Sequence, residues 1–280
     1  MLIIFALFLS PALPLYQEPP LPDDKTKEVE EVEEVEEADK PEVAPIDPAA
    51  AEKAVREVLE NGEREAIVAI FEKEGRVADK SVVKALAGGL KHADSEVRIA
   101  TLRALRFNED PAALTTLLGQ AKNKKLLEDP KAAIEFYMGL GQKADKKAVP
   151  VIGKGLKIDD GGDRVMMARI AALGRIRDKA SVEELLSFQV AGNARRAHPY
   201  QKHINVALAV LTGAEMGSRD HWQSWWNDNK NSFEVAADLP ELPEQIKRAW
   251  GKIWSDESLE GVRGKRDKAK EGRERKRGAG

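Results

Sequence analysis

The chain has 280 residues, of which 42% are hydrophobic, 33% are charged and only 5% are aromatic, and it contains no cysteine. The absence of cysteine excludes a disulfide framework, a thiol nucleophile and any thiolate metal site. The net charge of -3 conceals an asymmetry, because residues 1–50 carry -10 and residues 261–280 carry +6. With few rings and many Leu, Ala and Val residues, the composition favours a core of stacked helices in one or two domains.

Residues 1–12 have the features of a signal peptide. The apolar run over residues 1–9 is too short to cross a hydrocarbon layer, which takes ~20 residues. Ser10-Pro11-Ala12 then supplies small residues at the two positions that a signal peptidase reads. The segment therefore predicts export to the periplasm or cell envelope and no transmembrane segment. The alternative is an uncleaved apolar tail on a cytoplasmic protein.

Residues 13–47 are rich in proline and glutamate and predict a disordered acidic linker. The unit Glu-Val-Glu recurs three times between Glu28 and Glu37. A period of three cannot hold the valines on one face of a helix, and the neighbouring carboxylates repel each other at helical spacing. Asp47-Pro48 is typical of an N-cap followed by proline at the first helical position, so we expect the folded part to begin at residue 48.

Residues 48–233 contain an internal repeat. Four copies anchored on Ala66, Val97, Ala132 and Val165 are separated by 31, 35 and 33 residues. Thirteen residues after each anchor the copies carry Asp79, Asp110, Asp145 and Asp178. Four residues further on they carry Val83, Leu114, Val149 and Val182, and after another three Leu86, Leu117, Ile152 and Leu185. Eight residues after the anchor, three copies carry Leu105, Leu140 and Leu173.

This register predicts stacked pairs of helices. Each anchor opens the second helix of a pair, the repeated Asp caps the first helix of the next pair, and the aliphatic positions face the core. The segments Asp94 to Ala100 and Arg177 to Leu186 resemble the second-helix and first-helix signatures of HEAT repeats. The resemblance implies an all-α, right-handed HEAT-like α-α solenoid of about five helix pairs. Armadillo and phycobilin-lyase-type repeats share much of the pattern.

Two tryptophan clusters follow the repeats. Trp222, Trp225 and Trp226 share one helical face, and residues 219–233 resemble the tryptophan-rich closing segment of exported bacterial HEAT-repeat proteins. We expect this segment to cover the apolar end of the last repeat, with an aromatic ligand platform as the alternative. Residues 234–260 are interpreted as a linker and an additional helix that carries Trp250 and Trp254. Residues 261–280 predict a basic, disordered tail.

No catalytic or metal-binding constellation is recognisable in the sequence. The four histidines, at 92, 198, 203 and 221, form neither a His-Glu pair nor the zinc pattern His-Glu-x-x-His. Residues 159–163 are rich in Asp and Gly but lack the alternating carboxylates and distant Glu of a calcium loop. We therefore expect a non-enzymatic protein with no cofactor and no metal.

The predicted second helices carry a set of arginines. In a HEAT-type stack these helices line the concave side, so the resemblance implies a basic binding surface for an acidic protein partner. The candidate residues are Arg98, Arg103, Arg106, Arg169, Arg175, Arg195 and Arg196. Ordinary solvated arginines that cover apolar surface with their methylene groups are the simpler explanation. The predicted function is an exported protein-binding scaffold.

An alternative function is binding of an anionic polymer, either nucleic acid or an anionic envelope surface, through the basic tail and the concave arginines. The export segment and the core charge of +1 argue against nucleic acid. The basic tail also lacks the interleaved aromatic residues that stack on bases.

Overall fold

The computed structural model describes residues 46–156, 162–190 and 199–254, and all of them belong to one compact unit. Within these ranges the protein has thirteen α-helices and no strand. The helices are α1 (Pro48–Asn61), α2 (Arg64–Lys73), α3 (Lys80–Leu86), α4 (Ser95–Phe107), α5 (Pro111–Gly119), α6 (Lys124–Leu127), α7 (Pro130–Lys143), α8 (Val149–Gly153), α9 (Gly162–Arg175), α10 (Lys179–Val190), α11 (Gln201–Thr212), α12 (Arg219–Asn229) and α13 (Glu244–Trp254). The segments 1–45, 157–161, 191–198 and 255–280 lie outside the described residues. The predicted signal peptide and basic tail fall there, as does the predicted acidic linker except for residues 46 and 47.

The repeated aspartates begin helical turns, as the register predicts. Asp79, Asp110 and Asp178 accept hydrogen bonds of 2.7–2.9 Å from backbone N–H groups two residues further along, at the starts of α3, α5 and α10. Asp145 makes the same bond to Lys147, where it begins the short 3-10 turn before α8. Such bonds satisfy backbone donors that a helix start leaves unpaired.

Helix α1 begins where the sequence predicts a helix start. Asp47 accepts a hydrogen bond of 3.1 Å from the backbone N–H of Ala50, and Pro48 occupies the first turn of α1. Proline is favoured at that position because its missing N–H has no partner in a helix start.

Two series of helices make up most of the fold. In the first series α1 packs against α3 and α3 against α5, and α8 packs against α10 and α10 against α12. In the second series α2, α4, α7, α9 and α11 each pack against the next. Helices of the two series also pack pairwise, as α1 does with α2 and α10 with α11. The core therefore runs continuously between the two series.

The aliphatic positions of the repeat form that core. Leu105, Leu140 and Leu173 are fully buried, and they occupy the same position on α4, α7 and α9. Leu86, Leu117, Ile152 and Leu185 are fully buried as well. Burial of such side chains is worth roughly 1.5–3 kcal/mol each, so these positions carry much of the stability.

Successive second-series helices are also linked by polar side chains at one repeated position, eleven residues after the anchor. Asn108 donates to the backbone carbonyls of Gly75 and Val77, at 3.0 and 2.7 Å. Lys143 in turn donates to the carbonyl of Asn108. Val77, Asn108 and Lys143 are equivalent in the repeat. These bonds satisfy carbonyl groups in the turns that follow the second-series helices.

The first tryptophan cluster packs into the fold. Trp222 is fully buried on α12, and its ring N–H donates to Asn205 Oδ1 at 3.0 Å. Trp226 is buried, and Trp225 contacts both Trp226 and Phe233 ring to ring. Because α12 packs against α10, these rings contribute to the core beside α10.

Among the described residues, no helix combines the length and apolar character that a membrane span requires.

Candidate protein-binding face

Helix α13 lies across the second series of helices. Its apolar residues Ile246, Trp250, Ile253 and Trp254 are each half-buried, and no residue of the helix is fully buried. The polar residues Lys247, Arg248 and Lys252 are exposed. The helix is therefore amphipathic and rests on the surface of the fold. We call the surface under α13, formed by α4, α7, α9 and α11, the docking face.

Trp254 anchors the C-terminal end of α13. The guanidinium carbon of Arg175 on α9 lies 4.8 Å from the centroid of its ring, and that of Arg106 on α4 lies 5.7 Å away. A guanidinium over an indole face is attracted by the ring quadrupole, by ~0.5–2 kcal/mol depending on exposure. Two such contacts from different helices fix the place where the ring sits.

Glycines on the docking face make room for the tryptophans. A Cβ on Gly141 of α7 would lie 2.6 Å from Ala172 Cα and 3.0 Å from Trp254 Cη2. A Cβ on Gly174 of α9 would lie 2.9 Å from Trp250 Cη2. Glycine is therefore the only residue that fits at either position without a shift of a neighbour. The two glycines allow the second-series helices to approach one another closely, and they leave room for the tryptophan rings of α13.

A buried ion cluster supports Arg106. Glu135 on α7 is buried, and its Oε1 accepts from Arg103 Nη2 at 2.9 Å while its Oε2 lies 3.5 Å from Arg106 Nη1. Breaking such a pair by removing one partner leaves an uncompensated buried charge, which costs roughly 3–5 kcal/mol. Glu135 thus joins α4 to α7 and holds Arg106 beside Trp254.

The predicted arginines have different environments. Arg106 and Arg169 are 4% and 2% exposed, so neither is the exposed basic group that we expect from the sequence. Arg169 donates from Nη2 to the carbonyls of Ile152 and Lys154, which connects α9 to α8. Arg98 donates to the carbonyls of His92 and Ala93, which belong to the turn before its own helix.

Arg103 and Arg175 are the predicted arginines that keep partial exposure on the docking face. The side chain of Arg103 is 40% exposed beside Glu135. Arg175 is half-buried under Trp254, and this burial, with the like charge of Arg106, lowers the pKa of its guanidinium. Arg195 and Arg196 lie outside the described residues.

Sequence reasoning missed the glycines and Glu135. Gly75, Gly141 and Gly174 all stand nine residues after their anchors, and Arg106 takes that position in the remaining copy. A recurrent glycine inside a helical stripe indicates a close approach by another chain segment. That repetition was the available signal for the docking face. No comparable pattern distinguishes Glu135 from an exposed glutamate.

The described part of the chain contains no cluster of three His, Asp or Glu side chains placed to hold a metal ion. The sequence matches no protein-family model, and no curated protein is significantly similar to it.

Proposed function

We propose that this chain is a non-enzymatic, protein-binding scaffold of HEAT-like helix pairs, wound as a right-handed solenoid. The pairs would be α1/α2, α3/α4, α5/α7, α8/α9 and α10/α11. Two findings support this arrangement, namely the recurrent capping aspartates and the unbroken packing from α2 to α11. Stacked repeats of this type bind partners along extended surfaces.

The observation that carries the function is that an amphipathic helix already occupies the docking face. Trp250 and Trp254 sit where Gly141 and Gly174 leave space, and Arg106 and Arg175 flank the second ring. A groove that receives an amphipathic helix through aromatic anchors four residues apart is a known mode of protein recognition. Because α13 is half-buried, a partner helix can compete with it for the same face.

The chemistry of the face defines the partner. The partner should present a helix with two aromatic or large aliphatic side chains four residues apart, so that these side chains lie against Gly141 and Gly174. Acidic residues beside the anchors would complement Arg175, which keeps partial exposure. Binding an anionic polymer has less support, because Arg106 and Arg169 are buried and bonded within the fold.

Quantitative affinity capture tests the proposal. Tagged full-length protein, its Trp250→Ala/Trp254→Ala double variant and a tag-only control would be incubated with extract of the native cells. We expect the same partner to be enriched with both proteins and to be recovered in greater amount with the double variant, whose docking face is released.

Matched controls separate the docking face from other surfaces. Lys247→Ala, on the exposed side of α13, should leave capture at the wild-type level. Adding Arg175→Glu to the double variant should reduce capture again. Recovery that is equal for all variants, or no protein above the tag-only background, would contradict the proposal.

The location of the scaffold is proposed from the sequence of residues 1–12. We propose export to the periplasm or cell envelope, with cleavage after the small residues near Ala12. Expression of the full-length gene with its native upstream sequence in a Gram-negative host should give a shortened protein in the periplasmic fraction. Intact protein in the cytoplasm would overturn this assignment.

A further inference from the structure

A pocket of about 360 Å³ lies between the docking face and α13. Its walls come from four helices, with Met138 on α7, Met167 on α9, Val206 on α11 and Ile253 on α13 among the lining residues. The volume falls in the range of roughly 300–1,000 Å³ that is typical of small-molecule sites. Methionine side chains are flexible and polarizable, so these walls can adapt to an apolar ligand.

The polar groups of the pocket favour an anion. Lys202 stands at its edge with an exposed side chain, and His203 on α11 also lines it. The described residues that line the pocket include no acidic side chain. A negatively charged group at this edge would therefore meet positive charge without repulsion.

His203 adds a polar group that the fold itself does not use fully. Its Nδ1 is buried and has no hydrogen-bond partner among the described residues. Burial lowers the pKa of the imidazole, so the ring is neutral at pH 7 and offers one donor and one acceptor. Because Nδ1 is inaccessible to solvent, the neutral ring forms part of the pocket wall and does not supply a charge to the ligand.

The form of the site favours a soluble ligand over a membrane surface. A surface that inserts into lipid needs exposed apolar side chains. Among the described residues, Leu239 is the one large hydrophobic side chain that is exposed. It does not line the pocket. The apolar walls face one another between helices instead.

We propose that this pocket binds a single-chain amphiphile, an unbranched apolar chain that ends in a carboxylate. The chain would lie between Met138, Met167 and Ile253, and the carboxylate would lie at the edge beside Lys202. This inference goes beyond the protein-binding function and does not depend on any protein partner.

Methyl NMR of the full-length protein with ¹³C-labelled methionine tests the proposal. The probes are decanoate, decanol and decyltrimethylammonium, each below its micellar concentration. Met138 and Met167 line the pocket, whereas Met216 packs against the main core, does not line the pocket and serves as an internal reference. We expect saturable shifts at Met138 and Met167 with decanoate, weaker binding of decanol and the weakest binding of the cationic amphiphile.

Variants locate the two ends of the ligand. Lys202→Gln should weaken decanoate binding by about two- to fivefold, the factor for an accessible charge pair, and leave decanol binding unchanged. Ala249→Leu fills the pocket from α13 and should abolish saturable binding of both compounds. Ala171→Leu fills it from α9, so the test holds if one variant disturbs folding. Lys247→Gln, on α13 but outside the pocket, is the charge control.

Three results would overturn the assignment. The first is the absence of saturable shifts at Met138 and Met167 in the wild-type protein. The second is decyltrimethylammonium binding as tightly as decanoate. The third is decanoate shifts confined to Met216, which would place the ligand outside the pocket.

Discussion

The core between helix pairs and the interface under α13 use neighbouring positions of the same repeat in different ways. Leu105, Leu140 and Leu173 stand eight residues after their anchors and are fully buried. The next position holds Arg106, Gly141 or Gly174, and it faces the half-buried rings of α13. The first position stabilises the core between helices. The second leaves a surface that a separate helix can occupy or vacate.

The largest effect should come from the first of these positions. Replacing Leu105, Leu140 or Leu173 with Ala should lower the free energy of unfolding by ~2–5 kcal/mol, because each change leaves a cavity between helices. Urea denaturation followed by circular dichroism measures the loss. Leu239→Ala is the control, since that side chain is 63% exposed and its loss should cost less than about 0.5 kcal/mol. Equal effects at all four sites would show that the repeat register is wrong.

Adding one methyl group should distinguish the two glycine environments on the docking face and on α13. Gly141→Ala should destabilise the fold by roughly 1–3 kcal/mol, because the new Cβ would lie 2.6 Å from Ala172 Cα. Gly251→Ala meets no atom within 4 Å and should stabilise α13 by up to ~1 kcal/mol. Urea denaturation reports the first change, and amide exchange of α13 reports the second. A stabilising Gly141→Ala would mean that α7 and α9 pack less closely.

The capping aspartates should contribute less than the leucines. Asp110→Ala and Asp178→Ala each remove a side-chain bond to a backbone N–H, and each should cost ~1 kcal/mol. Thermal unfolding under identical conditions measures both. Glu72→Ala, an exposed acidic residue within α2, should have little effect. If the aspartate variants unfold at the same temperature as Glu72→Ala, the aspartates do not act as stabilising caps.

The smallest effect concerns pH and the pocket beneath α13. Burial lowers the pKa of His203 below its unfolded value of ~6.5, so the unfolded chain binds more protons in the interval between the two values. The free energy of unfolding should therefore fall as pH drops below about 6.5, and the loss is complete below the folded pKa. His203→Gln should flatten this dependence, whereas exposed His221→Gln should not. If both variants show the same pH dependence of the free energy of unfolding, His203 is more accessible to solvent than the structure indicates.

Local patterns in the sequence were sufficient for much of the fold. The caps at Asp79, Asp110 and Asp178 and the burial of the repeated leucines were predictable, because each depends on a motif a few residues long. The position of α13 was not, since an amphipathic helix does not encode which surface it covers. Arg106 and Arg169 illustrate the same limit. Arginine carries a long apolar stem and a charged end, so its burial depends on partners such as Glu135 that lie about thirty residues away in the sequence.

We propose that the docking face binds amphipathic helices. The most direct test is fluorescence anisotropy with a labelled peptide of residues 241–254 added to full-length protein. We expect saturable binding to the Trp250→Ala/Trp254→Ala protein and binding weaker by at least about tenfold to wild type, whose tethered α13 competes at high effective concentration. A peptide with both tryptophans replaced by Ala should not bind. If the double variant fails to bind the peptide, or binds the tryptophan-free peptide equally well, the docking face is not a helix-binding site.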